Sequence, residues 1–285
     1  MPGYTEMEKL NIAQRYLVPR QIEEHGLLPE QCRFDEDAIQ AIIQEYTYEA
    51  GVRDLERKIA AVCRSIAAEI ARGVRAEVTV SAGLVRGILG NSARSVREQR
   101  LPQSLVGVVT GLAYTPTGGD ILFVEATKYP GKGGFLLTGQ VGDVMRESMQ
   151  AAYSLVRARA KDLGINPEAF AQNDVHIHVP SGAIQKDGPS AGVAMVTALA
   201  SLFSNRPVRN DVAMTGEITL RGVVLPIGGL KEKSLAALRA GITEVLIPKE
   251  NEKDLEDIPP EAKLQIRFRP VKAIDEVLAI ALEPV

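Results

Sequence analysis

The 285-residue sequence has no tryptophan, two cysteines and three histidines. Cys32 and Cys63 are too few for the disulfide framework of a small secreted domain. Neither has a Cys or His at metal-binding spacing, so both are expected to be reduced thiols. No apolar run approaches the ~18 to 20 residues that cross a bilayer. The opening stretch MPGYTEMEKLN has neither the basic start nor the apolar core of a signal peptide, so a soluble chain with no membrane partner is expected. Excess positive charge is missing too: a net charge of -3 and a pI near 5.8 leave nucleic-acid binding unsupported. Finally, no G-x-x-x-x-G-K-[ST] phosphate loop occurs anywhere.

What is present is 45% apolar, enough for a buried core in one large domain or two ordinary ones. From Glu6 to about Gly73 the pattern is helical. Thr5 followed by Glu8 predicts a capping box, and Pro19 predicts an interruption. In RDLERKIAAVCRSIAAEIARG, Leu55, Ile59, Val62, Ile66 and Ile70 recur at helical spacing and predict one buried stripe. A short strand, AEVTV, follows. The polar stretch NSARSVREQRLPQ then reads as a linker.

Beyond it, short β-type runs such as LVGVVTGLAYT, DILFVEATKY, DVHIHVP, DVAMTGEITLRGVVLPI and EVLIP are interleaved with helical patterns at 144–160, 190–203, 231–240 and 274–281. The expected fold is a small N-terminal helical bundle followed by a mixed-sheet α+β or α/β domain. The division is drawn at residues 1–92, a linker at 93–103, and 104–285.

The segment KDGPSAGVAMVTALA places Ser190 at the mouth of an apolar helical run. The ordinary role of such a serine is to cap the helix. Gly188, Pro189 and Gly192 also suit a tight turn, and a helix N-terminus offers unpaired N–H groups and a positive dipole end that can stabilise an oxyanion. A nucleophilic serine needs a base. His25 lies in the helical bundle. His176 and His178 alternate with Val175, Ile177 and Val179 in a strand, so both face one side with no acidic residue placed to orient either ring. A buried lysine with a depressed pKa can serve instead. PIGGLKEKSLAALRAG supplies Lys231 and Lys233 at a helix start, and periodicity does not choose between them.

PSGAIQKDGPSAG, MTGEITLRGVVLPIGGLKEK and VTGLAYTPTGGDILFVEATKYPGKG together resemble the successive signatures of the Lon family of ATP-dependent proteases. The resemblance covers nearly the whole chain. It implies that Ser190 is the nucleophile, that Lys233, the second lysine of GGLKEK, is the base, and that Thr215 of MTGE orients the lysine amine.

GYTEMEKLNIAQRYLVPRQ and YTYEAGVRDLERKIAAVCRSIA are similar to the α-helical lid of that family's AAA+ module. Arg53 then matches an arginine that contacts nucleotide in the intact protein. The resemblance further implies unfolded polypeptide substrates bound as an added strand, a homo-hexamer, a cytoplasmic setting, and no cofactor for the peptidase chemistry. ATP and Mg are implied only for the full-length protein. With no phosphate loop, the chain is expected to be a C-terminal portion, lid plus protease domain, without the nucleotide-binding core.

Two other classes remain open. KDGPSAGVAMVTA faintly resembles the phosphate-binding loop of small-molecule kinases. The fold could also serve as a non-catalytic scaffold for ring assembly, because fold does not fix function.

Overall fold

The computed structural model describes residues 4–47, 49–90, 100–115, 118–180 and 187–284. They fall into two compact units, one made of 1–97 with 116–118 and the other of 98–115 with 119–285.

The first unit is helical, as its periodicity predicts. Helix α1 (Glu6–Ile12) passes through a π-helical turn (Ala13–Leu17) into α2 (Val18–Glu24). Thr5 and Glu8 form the predicted reciprocal capping box, with bonds of 2.7 and 3.1 Å. Pro19 lies within a helix that runs on from α1 to α2, and the expected interruption takes the form of the π turn just before it, whose altered register lets the backbone accommodate a residue without an N–H.

Strand β1 (Cys32–Phe34) leads to α3 (Glu36–Ala41), a second π turn (Ile42–Tyr46) and the long α4 (Arg53–Ala71). The stripe Leu55, Ile59, Val62 and Ile66 is buried, joined by Cys63, while Ile70 near the helix end is only partly covered. Strand β2 (Val78–Val80) pairs in parallel with β1 before α5 (Ala82–Leu89) closes the unit. Strand β1 was not expected. Three residues are too few to show an alternating pattern, and pairing with β2 across the core is what holds them extended.

The second unit is built on a seven-stranded mixed sheet. Its strands are β3 (Val108–Thr115), β4 (Gly118–Pro130), β5 (Phe135–Thr138), β6 (Asn173–His178), β7 (Val212–Met214), β10 (Glu244–Pro248) and β11 (Arg267–Val271), in the order β11-β10-β7-β3-β4-β6-β5. A separate two-stranded piece pairs β8 (Glu217–Ile218) with β9 (Val224–Leu225). The helices are α6 (Asp143–Ala158), α7 (Ala169–Gln172), α8 (Gly192–Ser204), α9 (Leu230–Arg239), α10 (Pro260–Gln265) and α11 (Ile274–Ala281). No helix among the described residues is long and apolar enough to cross a membrane. Most of the expected linker lies outside the described residues.

Strand alternation sorts the helices onto the two faces of this sheet. Val109, Val212, Met214 and Leu246 join α6, α8 and α11 in one core. Leu112, Ala213, Val245 and Ile247 join Leu230, Ala236 and Ala237 of α9 in the other. Helix α8 is buried along its length from Gly192 to Phe203, which is why its sequence is apolar all round instead of on one face.

Candidate active site

Helices α8 and α9 lie on opposite faces of the sheet, so their first turns can meet only beyond a strand end. That end belongs to β7, which runs parallel to β3 and β10 on either side. The C-terminal ends of adjacent parallel strands are where open α/β sheets present their sites. Thr215 is the first residue past β7. It is 1% exposed, and its N–H donates to Leu246 O at 3.1 Å.

Ser190 lies in a 3-10 turn (Pro189–Ala191) that leads into α8. Gly188 enters this turn at φ +135°, a conformation L side chains rarely adopt. The turn is fastened to the strand end by backbone bonds: Gly216 N–H donates to Ser190 O at 2.8 Å, and Val193 N–H donates to Gly216 O at 3.1 Å. From the other side, Asp187 Oδ1 accepts from the N–H groups of Met145 in α6 and of Gly188, each at 3.0 Å. The Ser190 side chain does not cap α8, which begins without any side-chain cap. The hydroxyl is therefore not committed to the helix it precedes.

Lys233 sits in the first turns of α9. Of the two lysines that periodicity left equivalent, Lys231 is partly exposed and Lys233 is 2% exposed. Its Nζ donates to Thr215 Oγ1 at 3.1 Å, and Thr215 Oγ1 in turn donates to Ser190 O at 3.3 Å. Burial disfavours the ammonium form and pushes the Lys233 pKa down to about 8. Helix α9 can come this close because of Gly119 in β4: a Cβ there would overlap the Glu232 carbonyl and lie 2.9 Å from Lys233 N. The segment TPTGGD falls between two β-type runs of the sequence, and nothing in it marks Gly119 as the seat of a helix.

Ser190, Thr215 and Lys233 are thus gathered at one strand end, with Thr215 as the link and no hydrogen bond between the Ser190 hydroxyl and Lys233. The histidines are elsewhere engaged. His176 Nε2 and His178 Nδ1 both bond Thr138 Oγ1, at 2.8 and 2.7 Å, and His25 Nδ1 bonds Gln21 O at 2.8 Å. Among the described residues no group of three or more His, Cys, Asp or Glu is placed to hold a metal. Arg53, the first residue of α4 in the other unit, is exposed and pairs with no carboxylate among the described residues.

Residues 79–284 match the model of the Lon protease (S16) C-terminal proteolytic domain. The chain belongs to the Lon protease family. Residues 23–78 match the model of the Lon protease AAA+ ATPase lid domain. Curated relatives named Lon protease agree along the chain: those of Trichlorobacter lovleyi and Dictyoglomus thermophilum are each 54% identical over 283 residues, covering 99% of this chain and 35% and 36% of theirs. That of Syntrophus aciditrophicus is 56% identical over 282 residues, again 99% of this chain and 36% of its own. The chain therefore spans about a third of the length of these Lon relatives.

Proposed function

We propose that the chain is a serine peptidase that hydrolyses unfolded or damaged polypeptides through a Ser190–Lys233 dyad. The observation that carries this reading is the buried Lys233 amine, bonded to Thr215 Oγ1 at the strand end where Ser190 lies, with its pKa lowered to about 8. A minor but usable fraction of the amine is then neutral near neutral pH, and that fraction grows as pH rises through about 8, which is what a base for a serine hydroxyl requires.

The steps follow from that base. Lys233 accepts the Ser190 hydroxyl proton as Oγ bonds to the substrate carbonyl carbon, and the negative charge that develops on the carbonyl oxygen is met by backbone N–H groups near Ser190. Collapse breaks the C–N bond, and Lys233 returns the proton to the leaving amine. Water then attacks the acyl-enzyme with Lys233 again as base, releasing the carboxylic acid and restoring Ser190. Thr215 holds the amine between these transfers. The Ser190–Lys233 contact closes when substrate is bound, since catalytic hydrogen bonds commonly tighten only in the complex.

In the intact protein we place residues 1–92 as the lid, joined through 93–103 to a protease domain at 104–285, in a cytoplasmic homo-hexamer that binds polypeptide as an added strand. ATP and Mg belong to that larger protein. Arg53, exposed and paired with no carboxylate among the described residues, suits a single phosphate contact there, since a guanidinium always keeps its charge. The test is hydrolysis of an unstructured fluorogenic peptide. Ser190→Ala and Lys233→Ala should each abolish it, while Lys231→Ala retains most of it. Equal loss in both lysine variants would undo the assignment.

A further inference from the structure

Thr215 and Lys233 reach their hydrogen bond on separate elements, the end of β7 and the first turns of α9. Both are fastened to one stretch of chain, β10 and the 3-10 segment after it (Lys249–Asp257). In β10, Leu246 O accepts the Thr215 N–H. A few residues on, the Asn251 carboxamide grips the backbone of Ile227: Oδ1 accepts from Ile227 N–H at 2.9 Å and Nδ2 donates to Ile227 O at 2.8 Å. The other amide hydrogen goes to Asp254 Oδ2 at 2.5 Å.

This pair of bonds is what one strand residue would give another, made here by a side chain that is 2% exposed. Ile227 leads through Gly228 and Gly229 into α9, and Lys233 N–H donates to Gly229 O at 3.0 Å. Two glycines, one at φ +70°, give this connection no stiffness of its own. Besides its packing on Gly119, the start of α9 is therefore held to the strand end through Ile227.

We propose that Asn251 is a positioning residue for Lys233, setting the distance between its amine and Thr215 through Ile227 and the start of α9. The proposal rests on the Ser190–Lys233 reading above. Only a carboxamide supplies a donor and an acceptor side by side. Asn251→Ala leaves both Ile227 groups unpaired, and the near-isosteric Asn251→Asp sets a carboxylate oxygen against the Ile227 carbonyl.

The experiment uses the 285-residue chain. It measures kcat and KM for an unstructured peptide across pH, and follows the Lys233 titration directly by NMR of isotope-labelled lysine, assigned with Lys233→Met. A displaced base of this kind should lower kcat by about a hundredfold with KM held. The acidic limb of the pH profile and the NMR titration should both move up toward the ordinary lysine value, as water reaches the amine. Asn251→Asp should fall between wild type and Asn251→Ala, and it carries the test if the alanine variant does not fold. A lower melting temperature with kcat, limb and titration unchanged would overturn the proposal, leaving Asn251 a clamp for stability alone. If Lys233→Ala itself keeps peptidase activity, the dyad reading fails, and the NMR titration still decides whether Asn251 positions Lys233.

Discussion

Lys233 donates its hydrogen bond to Thr215 Oγ1, at 3.1 Å, and not to the hydroxyl of Ser190. Thr215 thereby does two things with one oxygen, since it also donates to Ser190 O at 3.3 Å. The lysine amine and the serine backbone are held to the same atom, and a change at that atom should be read at both ends.

Thr215→Val keeps the shape and removes the oxygen. A hydrogen bond to a charged group is worth about 1.5 to 3 kcal/mol, so kcat should fall roughly tenfold to a hundredfold. Loss of an acceptor for the ammonium also disfavours the charged form, so the acidic limb of the pH–rate profile should move to lower pH. Thr215→Ser should restore most of both. A Val variant with wild-type kcat would show that Lys233 does not depend on this bond. The shift is opposite in sign to that expected for Asn251→Ala, so the two roles are separable in one set of profiles.

The depressed pKa of Lys233 carries a cost to stability. Its folded value of about 8 lies below the ordinary lysine value, so the folded state holds fewer protons than the unfolded one between the two. Stability should therefore rise as pH climbs from about 8 toward about 10.4, and the penalty is fully present below that window. Lys233→Met, of similar length and uncharged, should be inactive yet more stable at neutral pH by about 3 kcal/mol, with the gain fading at high pH. Denaturant titrations at several pH values check this. A destabilised Met variant at neutral pH would contradict the burial argument.

Gly119 offers a test from the backbone side. Because a Cβ there would overlap the Glu232 carbonyl, Gly119→Ala must push α9 away from β4. Overpacking of this kind costs about 1 to 3 kcal/mol. The expected sign of a displaced α9 is a larger fractional loss of kcat than of folded protein, seen by comparing turnover with circular dichroism on the same sample. Loss of both in equal proportion would leave Gly119 a packing residue only.

Much of the architecture is legible in the sequence, because the periods are clear. The α4 stripe, the all-apolar α8 and the helix at 274–281 all appear where their patterns place them. The run DVAMTGEITLRGVVLPI reads as β-type without internal bounds, and the structure divides it into β7, β8 and β9. Thr215 and Gly216 leave the sheet there to bond Ser190, a contact with a distant segment that no local pattern encodes. Lys231 and Lys233 show the same limit. They flank the solvent side marked by Glu232 and Arg239 at comparable angles, and the seating of α9 on Gly119 and the strand end buries one and leaves the other partly exposed. Asn251 carries no sequence signal at all. In PKENEKD it looks like any polar turn residue.

Without a phosphate loop in this chain, peptide cleavage should need no ATP, and the chain should not pull a folded substrate apart. Folded domains resist opening by ~5 to 15 kcal/mol, so passive capture is slow. One substrate presented in two states checks this: digested when destabilised, intact when folded, both without nucleotide. Rapid cutting of both forms would contradict it, as would ATP turnover by this chain.

If Ser190 is the nucleophile and Lys233 its base, a reagent that traps activated serines should label the one and need the other. The most direct measurement is peptide mass spectrometry after treatment with a phosphonylating reagent, on wild type and on Lys233→Ala shown by circular dichroism to be folded. A single adduct on Ser190 is expected in the wild type and none in Lys233→Ala. An adduct on another residue, or equal labelling of Ser190 without Lys233, would contradict it.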